Sequence, residues 1–124
     1  MIPKFRARDE RGNWHVGLLT FMFGQYAIVN ETDENTVYLI DKETIGQSIG
    51  LRDKNGVDIF EGDLVEHDDN INGTWETFEA CEIVYDGDYA QFCFKNDASN
   101  FLSYYRNLCI IGNIHENPEL LEDK

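Results

Sequence analysis

Turn-forming residues recur at close intervals along this chain and leave room only for short strands between them. Asp9-Glu10-Arg11-Gly12-Asn13, Asp53-Lys54-Asn55-Gly56, Glu61-Gly62-Asp63 and Asp86-Gly87-Asp88 each combine Gly with Asp or Asn. Gly reaches positive φ without steric cost, and Asp and Asn bond nearby backbone amides. The runs between these turns read as strands. Residues 4–8 alternate polar and apolar, as a half-buried strand does. Trp14-His15-Val16 returns as a second strand, and residues 18–23, apolar and aromatic, read as a buried strand that breaks at Gly24-Gln25. Residues 36–40 carry the highest β-propensity.

Asn55-Gly56 is the strongest hairpin signal and predicts a type I′ turn. Residues 67–73, His67-Asp68-Asp69-Asn70-Ile71-Asn72-Gly73, read as a polar loop. Residues 75–85 are apolar on both sides, which predicts a central strand or a bulge midway. Ala90, Phe92 and Phe94 alternate as a core face, residues 101–105 suit either strand or helix, and residues 108–111 form a last strand. Asp41 is positioned to cap one helical turn through Thr44, and Asn117-Pro118 to cap a short terminal helix. Together these features predict a mainly β chain, a β-rich α+β fold. The expected form is a small SH3-like barrel or rolled antiparallel sheet at residues 46–113. N-terminal strands at 1–45 precede it and a helical turn at 114–124 follows, within a single domain of 124 residues.

Charge narrows the partners. Ten basic residues face 24 acidic ones, a formal net charge of −14. Residues 1–30 hold four basic residues (Lys4, Arg6, Arg8, Arg11) against Asp9 and Glu10; residues 31–124 hold six basic against 22 acidic. A body this negative repels phosphate backbones, so direct nucleic-acid binding is disfavoured outside the N-terminal strand. Cys81, Cys93 and Cys109 are odd in number and lack a C-x-x-C pair, which excludes both a disulfide framework and a zinc pattern. The opening residues have no signal-peptide core, and no apolar run is long enough to span a membrane. A reducing cytoplasm is the expected location.

Three motifs resemble the YopX family of phage and prophage proteins: the opening Ile2-Pro3-Lys4-Phe5-Arg6-Ala7; the central residues 50–56 followed by Ile59-Phe60-Glu61-Gly62-Asp63-Leu64-Val65; and the closing residues 111–121. The chain departs from that pattern at Arg8, where the family often has an aromatic, and at Gln47-Ser48-Ile49-Gly50 in place of Gln-Tyr-Thr-Gly. The resemblance implies small proteins of mostly Gram-positive hosts. It implies no activity, catalytic residue or cofactor.

The remaining constellations are weighed on their chemistry. Glu61-Gly62-Asp63 offers too few amides for a phosphate cradle and reads as a turn. His67-Asp68-Asp69 lacks the glycine and terminal Glu of an EF-hand loop. A negative body gives the three Cys no cation to lower a thiol pKa, so they read as small hydrophobes in strands. No cofactor, metal or catalytic residue is expected. Alternation places Lys4, Arg6 and Arg8 on one face of the first strand, to contact a phosphate or acidic partner or, the favoured reading, to pair with an acidic surface of the same or a neighbouring chain. Sixteen aromatics exceed what one small core needs, so Trp75, Tyr104 and Tyr105 are expected as contacts in a homo-oligomer. The leading expectation is a non-enzymatic interaction module with a host or phage protein partner. Second comes an acidic mimic of nucleic acid that occupies a host protein's site, and third an enzyme or metal-dependent site using Asp63, His67, Asp68 or Asp69.

Overall fold

A computed structural model describes residues 4–30, 32–33, 35–88, 90–95 and 106–122. Its elements run β1 (Phe5–Arg8), β2 (Trp14–Met22), β3 (Gln25–Asn30), β4 (Val37–Leu39), a 3-10 turn (Lys42–Thr44) and β5 (Gly46–Arg52). They continue with β6 (Asp58–Phe60), β7 (Asp63–Ile71), β8 (Thr74–Asp86), β9 (Gln91–Phe94), β10 (Arg106–Asn113) and α1 (Glu119–Glu122). The mainly β class holds, in antiparallel sheets with one short helix. The sheets are open and not closed into a barrel. Closure needs the two edge strands to pair. In the sheet ordered β10-β7-β8-β9, β9 and β10 instead stand at opposite ends.

The chain divides into two compact units, residues 1–48 and 49–124. In the first, strand order is β4-β3-β2-β1-β5, and the β1–β2, β1–β5, β2–β3 and β3–β4 pairs are antiparallel. Register sets its two faces. Leu19 stands opposite Ile28 and Ile28 opposite Tyr38, so these three share a face. Alternation adds Phe5 and Ala7 of β1, and the same face carries the core of Ala7, Ile28 and Ile40 with Phe5, Leu19, Tyr38 and Ile45 packed on it. Asp41 caps the 3-10 turn by accepting the Glu43 N–H at 3.0 Å, as expected. Buried Thr44 then donates to the Asp41 carbonyl at 2.6 Å and accepts the Arg8 N–H at 2.8 Å, which ties the turn to β1.

In the second unit, Ile59, Val65, Ile83 and Phe94 form a separate core, with Ile49, Leu51, Cys81, Phe92, Leu108 and Ile110 packed against it. The midway bulge expected in residues 75–85 is present. Two steps along β7 (Val65 to His67) oppose three along β8 (Cys81 to Phe78), and Ala80, within the longer stretch, takes φ 54°. Residues 67–73 are not a loop. They are the end of β7 and a two-residue turn at Asn72-Gly73, with φ 53° and 87° and Ile71 paired to Thr74. Positive φ at both central residues marks the type I′ turn.

The turn expected at Asn55-Gly56 has another form. Only Gly56 has positive φ, because the Asp53 carboxylate gathers the N–H groups of Asn55 and Val57 at 2.9 and 3.0 Å. The terminal cap is also changed. Asn117 Oδ1 accepts the Asn113 N–H at 3.2 Å, while Asn113 Oδ1 accepts those of His115 and Glu116 at 2.9 Å. A Cβ on Gly112 would lie 2.5 Å from Asn117 Oδ1, so a side chain there displaces this knot.

Candidate interaction surface

The β2–β3 hairpin ends in a two-residue turn, Phe23-Gly24, between the last pair Met22 and Gln25. Phe23 has φ 51° and Gly24 φ 76°, again the type I′ signature. Asn, Asp or Gly normally fills the first of these positions. A bulky L-residue there costs about 1 kcal/mol from Cβ crowding against its own carbonyl. Phe23 nonetheless occupies it and is 93% exposed. Beside it the cross-strand pair Phe21 and Tyr26 meets edge to face at 5.1 Å, and Phe21 is 61% exposed. The expected buried strand thus runs out of its core at the hairpin end, where three aromatics meet solvent. Alternation within apolar residues says that one face is inside; it does not say how far along the strand the core extends.

Arg6 and Arg8 lie on one face of β1, as alternation predicted. Both guanidiniums stand over the Trp14 ring, at 5.0 and 5.5 Å from its centroid. Cation–π stacking across the β1–β2 pair therefore accounts for part of what a purely acidic environment was expected to supply. Lys4 precedes β1, and its carbonyl accepts the Ser48 N–H at 2.8 Å. Trp75 belongs to the other unit, at the start of β8, where it is half-exposed opposite Asn70. Tyr104 and Tyr105 lie outside the described residues.

Asp63, His67 and Asp68 each have surroundings of their own, and the Asp69 side chain lies outside the described residues. Asp63 is buried and accepts the Phe60 N–H at 2.8 Å, which makes Glu61-Gly62-Asp63 a turn, with Gly62 at φ 88°. His67 is buried between Phe94 and Phe78, at centroid distances of 4.3 and 5.4 Å. Asp68 accepts from Asn107 and Thr77 at 2.7 Å each, and these bonds hold its carboxyl below the ordinary range. Among the described residues, no three His, Cys, Asp or Glu side chains gather as a metal site requires. Cys81, Cys93 and Cys109 stand in β8, β9 and β10, outside any disulfide.

Two further aspartates, Asp9 and Asp53, shape the hairpins. Asp9 Oδ1 accepts the N–H groups of Arg11 and Asn13 at 2.9 and 3.0 Å, and Oδ2 meets His15 Nε2 at 2.8 Å. The His15 bond and then the Asn13 amide hold its pKa at about 2. His15 also stacks flat on Tyr38, with centroids 3.6 Å apart. Beside this turn an open cleft of about 630 Å³ is lined by Arg8, Arg11, Gly12 and Ile40 and by the acidic Asp9, Glu10 and Asp41. Both signs of charge line it, so it selects for neither. For Asp53, burial acts to raise the pKa. The amides of Val57, Ile110 and Asn55 outweigh that, and the carboxyl stays below its ordinary value. Among the described residues, no helix is long and apolar enough to cross a membrane.

No curated protein matches the chain. The crystal structure of protein EF1440 from Enterococcus faecalis is similar, with 33% identity and a TM-score of 0.59 over 98% of this chain and 99% of that one. The family profile described as YopX protein matches residues 4–122. In this fold the central and closing motifs are largely turn machinery: Asp53, Gly56, Gly62, Asp63, Gly112, Asn113 and Asn117 all set backbone geometry. The chain belongs to the YopX family.

Proposed function

We propose that this protein is a non-enzymatic interaction module of phage or prophage origin, and that the tip of its β2–β3 hairpin is the contact. One observation carries this reading. Phe23 stands 93% exposed at a backbone angle that disfavours it, beside Phe21 and Tyr26. A residue that costs folding energy and buries nothing is retained for something outside the fold. Aromatic anchors of this kind dominate binding energy when they fill a partner's pocket. The partner is a host or phage protein with an apolar pocket, met in the bacterial cytoplasm.

The test is affinity capture from host lysate with the wild type and Phe23→Asn side by side. Asn suits the turn, so the fold is kept. The reading predicts a protein retained by the wild type and lost by the variant. An identical captured set from both overturns it.

The acidic-mimic reading has its own support. From Asn55 to Phe94 the chain has no Lys or Arg and eleven acidic residues, carried largely on β6, β7 and β8. Such a ribbon suits a basic nucleic-acid-binding partner. A captured protein displaced by DNA at low salt, and still captured by Phe23→Asn, favours this second reading.

A further inference from the structure

The sheet of the first unit has a second face, opposite its core. Pairing of Leu18 with Val29 and of Val29 with Val37 puts these three in one row across β2, β3 and β4. Leu39 stands in the next row, opposite Ala27. Leu18, Val37 and Leu39 are 46%, 37% and 47% exposed. Alternation places Arg6 and Arg8 on this same face, at its β1 side. A sheet that is apolar on both faces is normally covered on both.

We infer that a second copy of this chain covers it, face to face, about a two-fold axis. Charge selects this occupant. Strands β1 to β4 contain no Asp or Glu, and Arg6 and Arg8 are their only formally charged residues. Each copy carries a net −14, so two copies repel across most of their surfaces. The strands of this face bring no carboxylate of their own to the contact. A basic partner is drawn instead to residues 49–124, which hold seventeen acidic residues against five basic ones. A two-fold axis near β3 sends the two arginine strips to opposite rims of the contact. Sheets stacked this way interdigitate at roughly 10 Å, and the contact is isologous, closing at the dimer. The inference does not rest on the hairpin-tip proposal, because Phe21 and Tyr26 lie on the opposite face.

Light scattering and sedimentation across micromolar concentrations test it on the full chain, using wild type, Leu18→Glu and Leu39→Glu. Val57→Glu serves as an exposed control in the other unit. Circular dichroism verifies that each variant is folded. The wild type and Val57→Glu are expected to run as dimers of twice 14.4 kDa, and to remain so at high salt. Each face variant brings paired carboxylates together and is expected to raise the dissociation constant at least about tenfold. Phe23→Asn is expected to leave the dimer intact. A monomeric wild type, a dimer indifferent to both face variants, or a dimer lost with Phe23→Asn overturns the inference.

Discussion

Two hairpins, one in each unit, are closed by the same five-residue turn, and they differ in what the aspartate's second oxygen holds. In Asp9-Glu10-Arg11-Gly12-Asn13 and Asp53-Lys54-Asn55-Gly56-Val57, the first residue's N–H donates to the fifth residue's carbonyl at 2.9 Å. The glycine N–H donates back to the aspartate carbonyl at 3.0 Å. One carboxyl oxygen takes the amides of the third and fifth residues in both. Gly12 and Gly56 have φ 87° and 81°. Beyond this the turns part. Asp9 spends its other oxygen on the side chain of His15, near the surface. Buried Asp53 spends it on the Ile110 amide of β10, 57 residues away, at 3.1 Å, while the Lys54 N–H reaches the Leu108 carbonyl. Local chemistry thus fixes the turn, and the long-range acceptor decides how much of the fold depends on it.

That contrast can be broken by mutation, and the largest effect belongs to Asp53. Asp53→Ala strands three backbone amides in a buried setting and is expected to cost about 3 kcal/mol in urea unfolding. A loss no larger than that of Asp9→Ala would erase the distinction. The glycines sharpen it from the other side. Neither Gly12 nor Gly56 has any atom within 4 Å of where a Cβ would stand, so only the backbone angle is penalised. Gly12→Ala and Gly56→Ala are expected to cost the same, about 1 kcal/mol each.

Acid titration gives the smallest and most specific effect. Asp9 has a pKa of about 2 in the folded chain against 3.8 for the unperturbed group. The unfolded state therefore binds the proton more readily. Asp9 contributes its stability above pH 4, and that contribution fades as pH falls towards 2. Asp53, also lowered, loses its contribution in the same direction. Carboxyl shifts followed by NMR should show the Asp9 midpoint near 2, and His15→Ala should move it towards the ordinary value.

The same comparison explains what was legible in the sequence. The β class, the bulge in β8, the cap at Asp41 and the face carrying Arg6 and Arg8 follow from alternation and turn chemistry, which act over a few residues. Asn55-Gly56 and Asn72-Gly73 show where such signals fail. Asp53 overrides the first, and at the second the polar residues before Asn72 hide a strand whose pairing with β8 and β10 is long-range. Closure into a barrel depended on edge strands whose meeting no local pattern encodes. The hairpin tip was hidden for the opposite reason. Phe21 and Phe23 look like core residues, and only the reach of β2 past its own core reveals that they are outside.

The most direct measurement is urea unfolding of Phe23→Asn against the wild type. If Phe23 is kept for contact, relieving its backbone angle should raise stability by about 1 kcal/mol, with the slope of unfolding unchanged. A lower midpoint for Phe23→Asn would show that the ring supports the fold, and would contradict the account.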